Sequence, residues 1–173
     1  MTDSPRIQEL RRRVQVDPAS PAFAQLAEEL RRSGRPQEAV EACRAGLEFQ
    51  PAYISARATL GRALLDLEML DEALAEFQAV LEAAPDHLSA LKGVGEVHQR
   101  GGRLEAALDA YGQALALARE DRDLLRAVAS LEAAVRPPAP ATPPPMPVPA
   151  ESPALWRLER LLAGILADRA RRR

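Results

Sequence analysis

The stretch PAFAQLAEELRRSGRPQEAVEACRAGLEFQP, residues 21–51, decides how the rest of the chain is read. Its Ala27 returns as Gly61 and Gly95, and its Ala39 as Ala73 and Ala107, each at an interval of 34 residues. A period of 34 belongs to a helix–turn–helix unit stacked on copies of itself. Further columns keep the interval: Leu26, Leu60 and Val94; Leu30, Leu64 and His98 a turn later; Leu47, Leu81 and Leu115. Cys43, Phe77 and Tyr111 form a bulky column, and Gly46, Val80 and Ala114 a small one. Pro51 and Pro85 mark the ends of second helices, because the residue before a proline leaves the α region. Gly34 and the pair Gly101-Gly102 break the chain between first and second helices.

Each column has a packing reason. A small residue in the first helix lets the second helix come within contact distance, alanine in the second helix does the same from the other side, and the bulky column fills the gap between them. One such hairpin cannot bury its apolar face alone, so neighbours must stack.

These columns resemble the tetratricopeptide repeat over segments 20–53, 54–87 and 88–121. The resemblance implies an all-α fold, a right-handed α-solenoid of antiparallel helix hairpins that binds other proteins and has no catalytic role. Two positions depart from the family pattern. Arg57 stands where a large residue is often found early in the first helix, a place Phe23 and Leu91 keep. Arg119 replaces the closing proline of the third unit, so the third hairpin is expected to run directly into a capping helix.

The flanks fit capping. Ser4-Pro5 reads as an N-cap followed by proline at the first helical position, and Ile7, Leu10 and Val14 make one apolar stripe, so 5–16 is expected to be a short helix within an N-terminal segment 1–19. Leu124, Leu125, Val128, Leu131 and Val135 stand at helical spacing, which predicts a capping helix over 122–136 with Arg122, Arg126 and Glu132 on its wet face.

The tail is of another kind. Residues 137–149, PPAPATPPPMPVP, hold eight prolines in thirteen positions, a composition that excludes helix and sheet and favours a polyproline II spacer reaching roughly 40 Å at about 3.1 Å per residue. Its PxxP spacing, Pro144 to Pro147, also suits a proline-recognising groove, though a plain spacer explains it as well. The linker is read as 137–152. Ser152-Pro153 then opens segment 153–173, an amphipathic helix with Leu155, Leu158, Leu162 and Ile165 on one stripe, widened by Trp156, Leu161 and Leu166, and a basic end at Arg171–Arg173. Alone it leaves its tryptophan wet, so it must dock. Four destinations are open: its own repeats, the repeats of a second copy, a groove on another protein, or an anionic membrane surface. The last fits least, because the helix lacks lysine and acids interrupt its polar face.

Composition narrows the classes. The chain has 173 residues and a formal net charge of −2, which argues against nucleic acid as a partner. The charge is uneven: 1–16 carries four arginines and two acids (+2), 151–173 six and three (+3), leaving −7 for 17–136. Cys43 is the single cysteine, so no intrachain disulfide can form. The start, MTDSPRIQELRRR, has no apolar core of a secretory signal, and no run approaches the roughly 18 apolar residues of a spanning helix. A cytoplasmic protein is expected. Its wealth of arginine, alanine and proline, against the single Lys92, suits GC-rich codons and hence a bacterial source.

In tetratricopeptide repeats one side of the first helices lines the concave face. Carried over, that names Ala24, Glu28, Arg31 and Arg32, then Ala58, Arg62, Leu65 and Asp66, then Lys92, Glu96, Gln99 and Arg100. Five cations stand there against three anions, a mildly basic groove in an acidic body. It can hold an acidic peptide by forked hydrogen bonds, or its charges can satisfy each other, as the i,i+4 pairs Arg62/Asp66 and Glu96/Arg100 suggest. The carboxylate clamp of some family members is not matched, because Ala24 and Glu28 stand in place of its first lysine and asparagine. His87 and His98, with no cysteine or carboxylate at ligand spacing, do not predict a metal site, and no cofactor is expected. Cys43 shares a column with Phe77 and Tyr111 and reads as a small buried hydrophobe. Gly93 and Gly95 read as close-packing helix positions, not a phosphate loop. The sequence thus predicts a non-catalytic adaptor for a protein or peptide, working through the concave face, the tail helix or both; the alternative is a self-assembling structural protein whose tail helix docks on a neighbouring copy.

Overall fold

The computed structural model describes residues 3–135, 157–158 and 160–163, and the chain divides into two compact units, Met1–Arg136 and Pro137–Arg173. The first unit holds α1 (Pro5–Val16), α2 (Ala22–Arg32), α3 (Pro36–Phe49), α4 (Ile54–Asp66), α5 (Leu70–Ala83), α6 (Leu88–Arg100), α7 (Leu104–Leu117) and α8 (Arg122–Val135). It is an all-α solenoid in which α2/α3, α4/α5 and α6/α7 are antiparallel hairpins.

The turns inside the hairpins share one geometry. The N–H of Arg35, Met69 and Arg103 donates to the carbonyl of Leu30, Leu64 and His98, while that of Gly34, Glu68 and Gly102 donates to Arg31, Leu65 and Gln99. These are Schellman closures, which satisfy carbonyls a helix end leaves unpaired and require a left-handed residue. Gly34 and Gly102 stand there at φ +73°, and Glu68 at φ 59°. In the second closure the flanking residues are apolar, Met69 and Leu64. In the third, Arg103 Nε donates to His98 Nδ1 at 2.9 Å instead. That bond explains why a histidine stands in a leucine column. Partial burial and the neighbouring Arg103 hold its imidazole below its usual pKa.

The glycine and alanine columns bring helices close. A Cβ at Gly61 would come within 2.7 Å of the Phe77 ring, one at Gly95 within 2.6 Å of Tyr111, and one at Gly46 within 2.1 Å of Phe23. Phe23 and Phe77 are fully buried, and Phe23 stacks edge-on against Tyr53. At the N-terminal end Ser4 Oγ accepts from the Ile7 N–H at 3.2 Å, and Ile7 and Leu10 of α1 enter the core that runs through the first three hairpins. At the other end Leu124 and Leu131 of α8 join Leu91, Ala107, Tyr111 and Ala114. The missing proline at 119 does not fuse α7 to α8: α7 ends at Leu117, and Asp121 Oδ1 accepts from the N–H groups of Asp123 and Leu124 to start α8. In the second unit, residues 157–158 and 160–163 are helical, and Leu158, Leu161 and Leu162 are exposed. Leu155, Trp156, Ile165, Leu166 and the proline-rich stretch lie outside the described residues.

Candidate functional site

The first helices of the hairpins contact one another directly, α2 with α4 and α4 with α6, so their free sides form one wall. Two cavities open along it. One of about 380 Å³ is bounded by Arg62, Leu65, Leu88, Ser89, Lys92, Gly93 and Glu96. Another of about 240 Å³ is bounded by Arg6, Ala24, Gln25, Glu28, Glu29, Tyr53, Ser55 and Thr59. The two share columns one repeat apart: Ser55 and Ser89, Thr59 and Gly93, Glu28 and Arg62. The wall is therefore a row of equivalent subsites, each at the junction of successive first helices.

The charges on it are largely matched. Glu28 is the hub: Arg31 approaches it at 3.2 Å, Arg32 at 2.9 Å and Arg62 at 3.3 Å. Burial opposes its ionisation, but the hydrogen bond from Arg31 and the nearby Arg62 outweigh it and hold the carboxyl below its usual pKa. Arg31 also reaches Asp66 at 3.0 Å, so Asp66 pairs with the first repeat, and the i,i+4 partner suggested for it, Arg62, is drawn to Glu28. The Glu96–Arg100 pair does form. Arg100 further donates to Glu68 Oε1 at 2.7 Å and to the Leu65 carbonyl at 3.1 Å, which ties the second turn to α6. Lys92 meets Asp121 at 2.8 Å. Gln99 Oε1 accepts from the Tyr111 hydroxyl at 3.1 Å, and burial pushes that phenol up to about 12.

Arg62 differs from its neighbours. Its Nη2 is only loosely held, at 3.3 Å from Glu28 and 3.5 Å from Thr59 Oγ1. Its Nε is enclosed and meets no acceptor among the described residues. A buried guanidinium N–H without a partner is costly, because the group has given up water for nothing. It lies on the larger cavity beside Lys92, with Leu65 and Leu88 as apolar floor.

Of the sequence-predicted residues, Arg62, Leu65, Lys92 and Glu96 share one cavity, Glu28 lines the other, and Arg31, Asp66 and Arg100 bridge repeats. Arg32 lies at the rim on Glu28, and Gln99 is engaged by Tyr111. Sequence reasoning missed Leu88, Ser89 and Gly93 as lining residues, and Asp121 as the partner of Lys92. The first three had a signal, since each repeats a column of the preceding unit. Asp121 had none, because its column holds Tyr53 and His87 in the earlier units. Cys43 is buried, with Sγ donating to the Ala56 carbonyl at 3.5 Å, and burial pushes its thiol up to about 12. His87 caps α6, its Nδ1 accepting from the Ala90 N–H at 3.2 Å.

The hairpins, the row of subsites and the 34-residue columns define a helical-repeat solenoid. Residues 30–95 match the sequence model of the tetratricopeptide repeat family, and that stretch is tetratricopeptide repeat. No curated protein matches the chain. Among solved structures it is similar to MamA residues 41 to the end from Desulfovibrio magneticus RS-1, at 22% identity and a TM-score of 0.68, over 74% of this chain and 73% of that one. It is similar to YrrB, described as a TPR protein with an unusual peptide-binding site, at 28% identity and TM-score 0.58, over 61% of this chain and 55% of that one. The second TPR domain of human RPAP3, solved with the HSP70 peptide SGPTIEEVD, gives 15% identity and TM-score 0.59, over 64% and 92%. Among the described residues no helix is long and apolar enough to cross a membrane.

Proposed function

We propose that this chain is a non-catalytic adaptor whose concave wall holds an extended peptide carrying an acidic residue next to an apolar one. The observation that carries the reading is Arg62: a guanidinium with an enclosed, unpartnered Nε, beside Lys92 and above Leu65 and Leu88. A peptide carboxylate meeting the exposed part of this side chain adds a charge-assisted bond to a guanidinium that its own surroundings leave under-satisfied, while its apolar neighbour covers the leucines. The other groove cations are held more closely, on Glu28, Asp66, Glu68, Glu96 and Asp121, whereas Arg62 has only the 3.3 Å approach to Glu28, which leaves it as the reader. A cytoplasmic setting suits the free thiol of Cys43.

Fluorescence anisotropy tests this with a labelled peptide of alternating Asp and Leu, against the same peptide with Asn for Asp. The acidic peptide is expected to bind more tightly, with an affinity that falls as salt rises, and Arg62→Ala to weaken it by about tenfold or more. Equal affinity for the two peptides, or no effect of Arg62→Ala, overturns the reading.

The exposed Leu158, Leu161 and Leu162 favour a second role for the tail. On that reading it is an assembly element that engages a neighbouring copy.

A further inference from the structure

The face of α8 is that of a first helix which lacks its partner. Its Leu124 and Leu131 extend the columns of Ala56/Ala90 and Ala63/Val97, and all six are buried against the preceding hairpin. The columns that meet a repeat's own second helix behave otherwise. Ala27, Gly61 and Gly95 are buried, but Ala129, next in the column, is exposed. Leu91 is buried, while Leu125 is 46% exposed. A cavity of about 550 Å³ lies between Val135, at the end of α8, and residues 102–106, where α7 begins. In the earlier repeats a second helix starts beside that place.

No helix can follow α8 closely, because eight of the thirteen positions 137–149 are proline. Skipping those thirteen puts Ala154 in the column of Ala39, Ala73 and Ala107, since it follows Ala107 by 47 residues, one 34-residue repeat plus the thirteen. In the same register Leu155 falls with Val40, Leu74 and Leu108, and Leu158 with Cys43, Phe77 and Tyr111. Leu162 falls with Leu47, Leu81 and Leu115. The tail therefore carries the apolar pattern of a second helix, cut from its first helix by a proline insertion.

We propose that residues 154–162 are the second helix of a fourth repeat and that they dock on the α8 face of a second copy, giving a reciprocal dimer. This rests on the reading of the tail as an assembly element and names its seat. The second copy is the occupant because of the spacer. Three residues join first to second helix elsewhere in the stack (33–35, 67–69 and 101–103). The proline-rich composition of 137–149 suits a segment of roughly 40 Å, longer than so short a gap requires, and so favours delivery of the helix to a neighbour.

Light scattering of the full chain at rising concentration tests it, alongside two variants. Leu125→Glu with Ala129→Glu alters exposed residues of the seat, and Leu158→Glu with Leu162→Glu alters the docking helix. The full chain is expected to be a dimer and each variant a monomer. Mixing the two variants should restore a dimer through the one intact pairing, which also shows that both fold. Deleting 137–149 should give a monomer with a raised Tm, because the helix then closes on its own α8. A monomeric full chain overturns both this proposal and the assembly reading. A dimer lost with the tail substitutions but kept with the α8 substitutions overturns the seat alone.

Discussion

Phe77 and Gly93 meet across the junction of the second and third repeats with nothing between ring and backbone: a Cβ at Gly93 would lie 2.3 Å from the Phe77 ring. Phe77 is fully buried and also faces Gly61, so it has nowhere to retreat. Gly93→Ala is expected to destabilise the fold by about 1–3 kcal/mol through overpacking, despite alanine's better helix propensity. Gly112 of α7 is the control, because a Cβ there meets nothing within 4 Å. Gly112→Ala should stabilise by about 0.5–1 kcal/mol. Urea melts of both variants check the opposite signs.

Glu68 holds the left-handed position that glycine holds in the first and third hairpins. A side chain there costs about 1 kcal/mol, and its ion pair with Arg100 is exposed and returns little. Glu68→Gly should raise stability by about 0.5–1 kcal/mol, and Gly102→Ala should lower it by a similar amount. Thermal denaturation decides the matter; an unchanged or lowered Tm for Glu68→Gly would show that the Arg100 contact outweighs the strain.

Glu28 links pH to stability. Its folded pKa lies below the ordinary value of 4.5, so the unfolded chain takes up a proton first as pH falls. The stabilisation is whole above the unfolded pKa and is lost as pH drops through the folded one. Glu28→Gln should therefore be less stable at neutral pH, with a shallower fall of Tm below about pH 4.5 than the parent chain. Parallel slopes for the two proteins would mean that the three arginines around Glu28 contribute nothing.

Cys43 should resist alkylation until the chain opens. The thiolate is the reactive species, and burial holds the thiol at about 12. In the native state a thiol reagent at pH 8 is expected to react at the rate of unfolding, and in denaturant at once. Fast labelling without denaturant would contradict the packing of Cys43 at the α3–α4 junction.

The hairpins were legible in the sequence because periodicity reports burial. A helix that must pack on two sides repeats its small and large residues, so Ala27, Gly61 and Gly95 declare themselves without coordinates. Glu28, Arg62, Lys92 and Glu96 were named for the wall by the resemblance to the tetratricopeptide repeat, carried over column by column. Pairing was not legible. The i,i+4 rule sees one helix at a time, so it offered Asp66 to Arg62, whereas the stack brings Asp66 to Arg31 and Arg62 to Glu28.

By itself the sequence determined the helical-repeat class and the columns that become core, which follow from local spacing and side-chain size. Only the tertiary structure decided which charges pair across repeats and which face of α8 is exposed. Those depend on distances between residues of different repeats, as from Arg62 to Glu28, and on whether a partner covers Leu125 and Ala129. Neither is a property of any one segment.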